Sequence, residues 1–338
     1  MRHSRTIPVL AGLAATALLL SGCAAAGGAD EADGTVSVVA STNVYGDVAR
    51  SIGGDHVEVT SIIDRMAQDP HSYEATARDK LAVSNADLVL ENGGGYDTFM
   101  HTLADDTGVD HNNIITAVEL SPLPGAEDEA PQAPAATDAD DGGSDHAGHG
   151  SGHADHGHAE HGHGGFNEHV WYDLATMAKV ADAVAGKLSA LDPEQADTFK
   201  ANAGQFQAGL DKLQAEVDEL AAAADGKAVA ATDPVPLHLF DALGLENKTP
   251  DDFMEAAEEG SDAAPQALKE AEDLFTGGSV RFVAYNEQTE GPQTQRLRQL
   301  AEKAGIAVVD FTETLPEGQD YLGWMRANLQ AVEKALRG

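Results

Sequence analysis

The stretch TVSVVASTNVYGDVARSIGGDHVEVTSII, residues 35–63, decides the fold of this chain. It opens with a β-branched run at 35–42, continues through an amphipathic segment at 44–54, and closes with a second β-branched run at 56–63. This alternation of strand-like and helix-like periodicity predicts a strand–helix–strand unit. The two strands of such a unit lie parallel in one sheet, and the helix between them covers a face of that sheet.

The alternation continues up to one long helical segment. DLVLEN at 87–92 and NIITAVEL at 113–120 predict two more strands, with helices between the strands at 77–86 and 96–106. Helical periodicity returns at about 174–190. A second helix then starts with Asp192 as its cap and Pro193 in its first turn, and its apolar stripe runs on to Gly226.

The second half of the chain repeats the strand–helix pattern. Strands are predicted at 227–232, 279–285 and 305–311, and helices at 250–260, 265–275, 292–305 and 321–338. We therefore expect an α/β fold of two lobes with mostly parallel sheets, joined by one long α-helix. The expected boundaries are an N-terminal lobe at 35–173, linking helices at 174–226 and a C-terminal lobe at 227–338.

The first 34 residues predict export and attachment to a membrane. Residues 1–22 combine two arginines with an apolar stretch at 7–20, which is typical of a signal peptide and shorter than a membrane span needs. The segment runs into LSGC, which looks like a bacterial lipobox, so we expect cleavage before Cys23 and lipidation of its sulfur. Cys23 is the only cysteine, which excludes a disulfide and a thiolate metal site. Residues 23–34 are expected to be a flexible tether, which makes the protein an extracytoplasmic lipoprotein of the cell membrane.

Charge and histidine content both point to metal cations. The formal net charge of −37 argues against a nucleic-acid partner, because few basic side chains are available to neutralise phosphates. Residues 122–165 show no helical or strand periodicity, and we expect this long loop to be disordered. Its imidazoles suit borderline-soft divalent ions such as zinc. The candidate low-affinity ligands in the loop are His146, His149, His153, His156, His158, His161 and His163.

Two further histidines lie in distinctive settings. His71 is part of DPHSYE at 69–74, after a predicted strand, and His169 is part of NEHVWYD at 167–173. Loops at the carboxyl ends of parallel strands are where such sheets bind ligands. These two stretches resemble the D-P-H-x-Y-E and N-P-H-x-W-x-D motifs of the zinc- and manganese-binding solute-binding proteins of bacterial ABC importers, also called cluster A-I. Residues 41–63 and the Gly-rich ENGGGYDTFM at 91–100 resemble the same family.

The resemblance implies one metal ion in the cleft between the lobes, with two ligands from each lobe. His71 and His169 match the two ligands of the N-terminal lobe. Asp233 follows the first strand of the second lobe and matches the third ligand, and Glu313 follows the last strand and matches the fourth. Trp171 and its neighbour Tyr172 are expected to pack between the lobes.

The third ligand departs from the common zinc pattern of the family, in which it is a histidine. Two imidazoles with two carboxylates suit zinc and also manganese. His238, five residues beyond Asp233, is the alternative third ligand, and Asp310 is the alternative to Glu313. Asp233 precedes Pro234 and is also placed to cap the following helix.

The function implied by the resemblance is capture of Zn²⁺ and its delivery to the permease and ATPase of an ABC transporter, by a monomer and without catalysis. A manganese receptor of the same transporter class, and a surface metal buffer or adhesin, are the alternatives. An enzyme such as a metallohydrolase would need an open coordination position and a nearby general base. The folded portion contains no HExxH segment and no serine-containing elbow to support that class.

Overall fold

The structure, a computed structural model, describes residues 35–126 and 166–338. The predicted signal peptide, Cys23, the tether and the seven histidines of the loop lie outside these residues. Those predictions therefore stay untested by the fold. Among the described residues, none of the helices is both long and apolar enough to cross a membrane.

The first lobe contains a four-stranded parallel sheet. Its strands are β1 (Val36–Thr42), β2 (Val57–Ile63), β3 (Leu88–Glu91) and β4 (Ile114–Thr116). They lie in the order β2-β1-β3-β4. The accompanying helices are α1 (Asn43–Gly53), α2 (Ala77–Ser84), α3 (Thr98–Thr107) and α4 (Ala117–Leu120).

The strand predicted at 113–120 is correct only in its first half. The chain leaves the sheet at Ala117, and the Val118 N–H donates to the backbone oxygen of Asn92, just beyond the end of β3. Ala117 and Val118 are both buried in this short helix. The apolar run at this position therefore serves a buried turn as well as a strand, which periodicity does not distinguish.

The second lobe repeats the same strand order. Its strands are β5 (Ala228–Ala231), β6 (Glu246–Asn247), β7 (Phe282–Asn286) and β8 (Ala307–Phe311), all parallel in the order β6-β5-β7-β8. Its helices are α7 (Leu237–Ala242), α8 (Asp251–Glu258), α9 (Pro265–Asp273), α10 (Pro292–Ala304) and α11 (Tyr321–Arg337). The sequence did not predict β6, because two residues are too few to show alternation.

Two helices lie between the strands of the first lobe and those of the second, and the longer of them is the long α-helix that the sequence predicted. Helix α5 (Leu174–Leu191) is followed by a 3₁₀ turn at Pro193–Gln195, and α6 (Ala196–Ala224) runs for 29 residues. At 1.5 Å per residue, α6 is about 44 Å long. Its buried side chains lie on one stripe and pack against α5, α1 and α11: Phe199, Ala203, Phe206, Leu210, Leu213, Val217 and Ala224. Because α1 belongs to the first lobe and α11 to the second, this stripe joins both lobes to one core.

The parallel strands bring the predicted site residues to one edge of each sheet. His71 lies in the loop after β2, Asp233 follows β5, and Glu313 follows β8. This placement agrees with the rule that ligands bind at the carboxyl ends of parallel strands.

Candidate metal centre

Two imidazoles and one carboxylate converge between the lobes. His71, His169 and Glu258 each offer one ligand atom, and these three atoms lie within 4.8 Å of one another. The Glu258 Oε1 atom is 3.4 Å from His169 Nε2 and 3.8 Å from His71 Nε2. The His169 side chain is fully buried, and those of His71 and Glu258 are 16% and 11% exposed. A divalent cation that enters this group would contact three donor atoms after small side-chain movements.

The neighbouring Asn167 fixes the orientation of His169. The Asn167 Oδ1 atom lies 2.6 Å from His169 Nδ1 and accepts the His169 backbone N–H at 3.2 Å. The Asn167 amide also donates to the Pro234 carbonyl oxygen at 3.0 Å, which ties the motif to the second lobe. When Nδ1 carries the proton and donates to Asn167, Nε2 is free of a proton and directs its lone pair at Glu258.

Burial keeps the His169 imidazole neutral. Desolvation lowers the pKa of His169 well below its ordinary value, and the positive charges of protonated His71 and His238 would lower it further. A neutral imidazole is the form that binds a metal ion, so His169 needs no deprotonation at pH 7.

A tight turn and an aromatic ring position His71. The Asp69 carboxylate accepts the His71 backbone N–H at 3.0 Å and the Ser72 hydroxyl at 2.6 Å. The Tyr96 ring packs edge-on against His71, with 5.1 Å between ring centroids, and lies 5.8 Å from the His169 ring. Tyr96 is fully buried, so its ring supports both imidazoles from within the core.

The Gly-rich turn allows this close packing. Gly94 has a φ of +65°, and a Cβ atom at this position would lie 3.1 Å from the Cβ atom of Glu168, the residue before His169. The Asn92 amide donates to the Glu168 carbonyl oxygen at 2.9 Å, between the same two segments of the chain. Glycine is required here because a left-handed backbone and a short distance to a neighbouring chain coincide.

Glu258 is the site residue that sequence reasoning missed. It is the last residue of α8, in a segment that was predicted only as a helix. Burial raises the pKa of Glu258 well above its ordinary value, and the negative charges of Glu168, Asp233 and Glu313 raise it further. A carboxyl group held in this environment is stabilised in its ionised form by a bound cation.

The two predicted carboxylate ligands lie beside this group and outside it. Asp233 Oδ2 accepts the Thr289 hydroxyl at 2.6 Å, and Oδ1 accepts the Val235 N–H at 3.3 Å in the turn before α7. The expected capping role is wrong, because α7 begins at Leu237 after Pro236 and no side chain caps it. Glu313 Oε1 accepts the Asn286 amide at 2.7 Å. Burial raises the pKa of both carboxyls, to about 8 for Glu313, where the charge of Asp233 adds to the effect. The structure thus brings His71 and His169 together and leaves Asp233 and Glu313 adjacent to them, each hydrogen-bonded, so the four-ligand assignment stays a prediction.

The two alternative ligands take other contacts. His238 Nε2 lies 2.7 Å from the Asn167 carbonyl oxygen, to which it donates. Asp310 is 54% exposed on β8, and its carboxylate is 3.8 Å from the Arg298 guanidinium. Neither side chain is part of the group formed by His71, His169 and Glu258.

The predicted packing role of the aromatic pair agrees with the structure. Trp171 and Tyr172 are both buried, and the Tyr172 hydroxyl donates to the Thr312 carbonyl oxygen at 2.9 Å. The Trp171 carbonyl oxygen accepts the Tyr321 hydroxyl at 2.7 Å. These bonds cross from the first lobe to the second directly behind the histidine pair.

An acidic cavity of about 430 Å³ opens beside Glu258. Asp69 and Ser72 of the first lobe and residues 257–262 and 288–294 of the second lobe line it. The acidic residues in its wall are Asp69, Glu258, Glu259, Asp262 and Glu290, and no described lysine, arginine or histidine lines it. A concave surface lined by one sign of charge raises the local concentration of cations.

Curated relatives match parts of this chain. The manganese-binding lipoprotein MntA of Halalkalibacterium halodurans is 27% identical over 192 residues, which is 55% of this chain and 50% of that protein. The iron ABC transporter substrate-binding lipoprotein MtsA of Streptococcus pyogenes is 22% identical over 206 residues, 59% of this chain and 55% of that protein. The chain thus spans about half the length of the curated relatives it matches.

Solved structures and a family sequence profile cover far more of the chain. The periplasmic zinc-binding protein TroA of Treponema pallidum superposes with a TM-score of 0.67 at 20% identity, over 90% of this chain and 99% of that one. This similarity confirms the two-lobed fold with parallel sheets and a long helix. Residues 38–335 match the ZnuA family, described as the periplasmic component A of the zinc-uptake complex. Since this match covers most of the length of the chain, the chain belongs to the ZnuA family.

Proposed function

We propose that this chain captures a divalent metal ion outside the cytoplasm and delivers it to the permease of an ABC transporter, whose ATPase drives uptake. The observation that carries the proposal is the convergence of His71, His169 and Glu258 between the two lobes. Membership of the ZnuA family and the names of the relatives support the same role.

Zinc is the ion that this donor set fits best. Two imidazole nitrogens and one carboxylate oxygen, with a fourth ligand, form the tetrahedral arrangement typical of zinc. His169 is buried and neutral, and Asn167 holds its Nδ1 atom, so one nitrogen donor is ready before the ion arrives. The fourth ligand is Asp233 or Glu313, which the sequence predicted and which lie next to Glu258.

Manganese is the second candidate, because the site contains more carboxyl groups than a zinc site needs. If Asp233 and Glu313 both turned towards the ion, three carboxylates and two imidazoles would surround it. Manganese prefers oxygen ligands and more than four of them. The names of MntA and MtsA refer to manganese and iron, which keeps these ions within the range of the family.

The remaining parts of the proposed role concern anchoring and supply. Lipidation of Cys23 would hold the protein, as a monomer, at the outer face of the cell membrane. The His-rich loop would collect ions at low affinity and raise their concentration near the cleft. No catalysis is proposed, because protein ligands that fill the coordination sphere leave no position for an activated water.

A competition titration tests the proposal. The chain, its His169→Ala variant and its His238→Gln variant are loaded with zinc and passed over a desalting column in excess manganese, which removes weakly held ions, and the ions that remain bound are counted. We expect one zinc ion that manganese does not displace in the wild type and in His238→Gln, and its loss in His169→Ala. Retention of manganese in place of zinc would identify the second candidate, and no tightly held ion in the wild type would overturn the proposal.

A further inference from the structure

A second group of metal-binding side chains lies on the surface of the first lobe, outside the cleft. His101 and Asp105 are one turn apart on α3, and His111 begins the 3₁₀ turn before β4. The Asp105 carboxylate lies between the two rings, with Oδ2 3.9 Å from His101 Nε2 and Oδ1 3.4 Å from His111 Nε2. The two ring centroids are 6.0 Å apart.

A buried carboxylate orients the first of these histidines. Glu91, at the end of β3, is 3% exposed, and its Oε1 atom lies 3.3 Å from His101 Nδ1. The same oxygen accepts the Thr116 hydroxyl at 2.8 Å. With its Nδ1–H donated to Glu91, His101 directs Nε2 towards Asp105. A carboxylate that holds the far nitrogen of an imidazole is the usual support of a histidine that binds zinc.

One histidine of the cleft is supported in the same way. There, His169 Nδ1 is held by the partly buried side chain of Asn167, and Nε2 points at the Glu258 carboxylate. In the surface group, His101 Nδ1 is held by the buried Glu91, and Nε2 points at Asp105. Burying a carboxylate costs free energy unless it is paired. A histidine that only faces solvent needs no buried carboxylate behind it, so the presence of Glu91 indicates a further role for His101.

We propose that His101, His111 and Asp105 form a second zinc site, which we call the outer site, with Glu91 as the residue that positions His101. Two imidazole nitrogens and one carboxylate oxygen suit zinc, and a water molecule completes the tetrahedron. The His101, His111 and Asp105 side chains are 46%, 68% and 54% exposed. The outer site therefore binds zinc more weakly than the buried cleft and exchanges it with solvent.

The test uses the full-length chain and reads each histidine separately. Zinc is titrated, the protein is treated briefly with diethyl pyrocarbonate, and carbethoxylation of His101 and His111 is measured by peptide mass spectrometry. Because peptides are read individually, the histidines of the loop do not interfere. We expect zinc to protect both residues together, at concentrations above those that fill the cleft.

Matched variants distinguish a side chain that binds zinc from one that only lies near it. Asp105→Asn should raise the zinc concentration that gives half protection by at least about tenfold. Its neighbour Asp106 forms an ion pair with Lys80 at 2.7 Å, so Asp106→Asn changes the net charge equally and should leave protection unchanged. Glu91→Gln should weaken protection of His101 and leave thermal stability within the range of the controls.

Two results would overturn the outer site: no protection of His101 and His111 at any zinc concentration, or equal effects of Asp105→Asn and Asp106→Asn. Failure of the cleft proposal is read independently, from the absence of a tightly held zinc ion in the competition titration. Neither outcome depends on the other, because the two groups share no ligand.

Discussion

Replacing Glu258 by glutamine tests whether the residue found only in the structure binds the ion. Glutamine preserves the size and shape of the side chain and removes the negative charge. Truncating one member of a buried, hydrogen-bonded charge pair costs about 2–5 kcal/mol. We expect a value in the lower half of this range, because Asp233 and Glu313 still supply negative charge nearby and because Glu258 must give up a proton to bind. A loss of about 3 kcal/mol corresponds to a roughly 150-fold higher Kd for zinc.

The assay is a zinc titration against a chelator of known affinity, with Glu259→Gln as the matched control. Glu259 is the next residue, is exposed, and carries the same charge. Its loss changes only the long-range field, so its Kd should stay within about threefold of the wild-type value at physiological salt. Thermal melting of the metal-free proteins checks the fold, and Glu258→Gln should not lower the melting temperature, because burial already disfavours the ionised carboxyl.

An unchanged Kd in Glu258→Gln would refute this reasoning. It would mean that Asp233 and Glu313 complete the site, as the family resemblance implies, and that Glu258 only lies beside it. The variants Asp233→Asn and Glu313→Gln would then carry the large effect.

Three further predictions concern the surroundings of the site. Asn167→Ala removes the acceptor for His169 Nδ1 and should weaken zinc binding about 10- to 100-fold, measured by the same titration; an unaltered Kd would show that Tyr96 and Trp171 suffice to orient the ring. Deletion of residues 122–165 should leave the Kd of the cleft unchanged and lower the number of zinc ions bound per chain, and an undiminished zinc count would contradict the collecting role of the loop. Burial raises the pKa of the Asp97 carboxyl, which accepts the N–H groups of Asn92 and Gly93. The folded protein therefore keeps the proton on this carboxyl at pH values where the same group in the unfolded chain, with a pKa of about 3.9, releases it. The contribution of Asp97 to stability is therefore greatest below about pH 4 and declines as pH rises through the folded-state pKa. Asp97→Asn should flatten this decline when the free energy of unfolding of the metal-free protein is measured by urea denaturation. Parallel pH curves for the two proteins would contradict this role of Asp97.

The sequence predicted the architecture and two of the three residues that converge in the cleft, and the reasons for the remainder are physical. His71 and His169 each lie in a local motif directly after or before a regular element, so their position in the fold follows from the strand order. Glu258 reaches the cleft only because β6 pairs with β5, which fixes where α8 begins. Since β6 has two residues, neither its existence nor the direction of α8 could be predicted from periodicity.

Asn167 and Tyr96 were missed for a different reason. Both belong to segments that the sequence had identified, NEHVWYD and ENGGGYDTFM, yet their roles depend on side-chain contacts. Asn167 bonds to His169 within its own segment and to Pro234 in the other lobe. Tyr96 contacts both histidines from a third segment. A pattern along the chain locates such residues near the site, and only the packing of three segments gives them their function.

The metal preference depends on which carboxyl groups are free to move. Glu258 faces the two imidazoles, whereas Asp233 is held by Thr289 and Val235, and Glu313 is held by Asn286. Both oxygens of Asp233 accept hydrogen bonds, so binding the ion disturbs at least one of them, and a hydrogen bond to a charged group is worth about 1.5–3 kcal/mol. Glu313 accepts on Oε1, and its buried Oε2 atom has no hydrogen-bond partner among the described residues, so it can bind the ion without such a loss. Glu313 can therefore complete a four-coordinate zinc site, while manganese also requires Asp233 to give up a hydrogen bond to reach a higher coordination number. The hydrogen bonds of Asp233 therefore favour zinc, and the variant Thr289→Val, which releases this carboxylate, should shift the preference towards manganese in the competition titration.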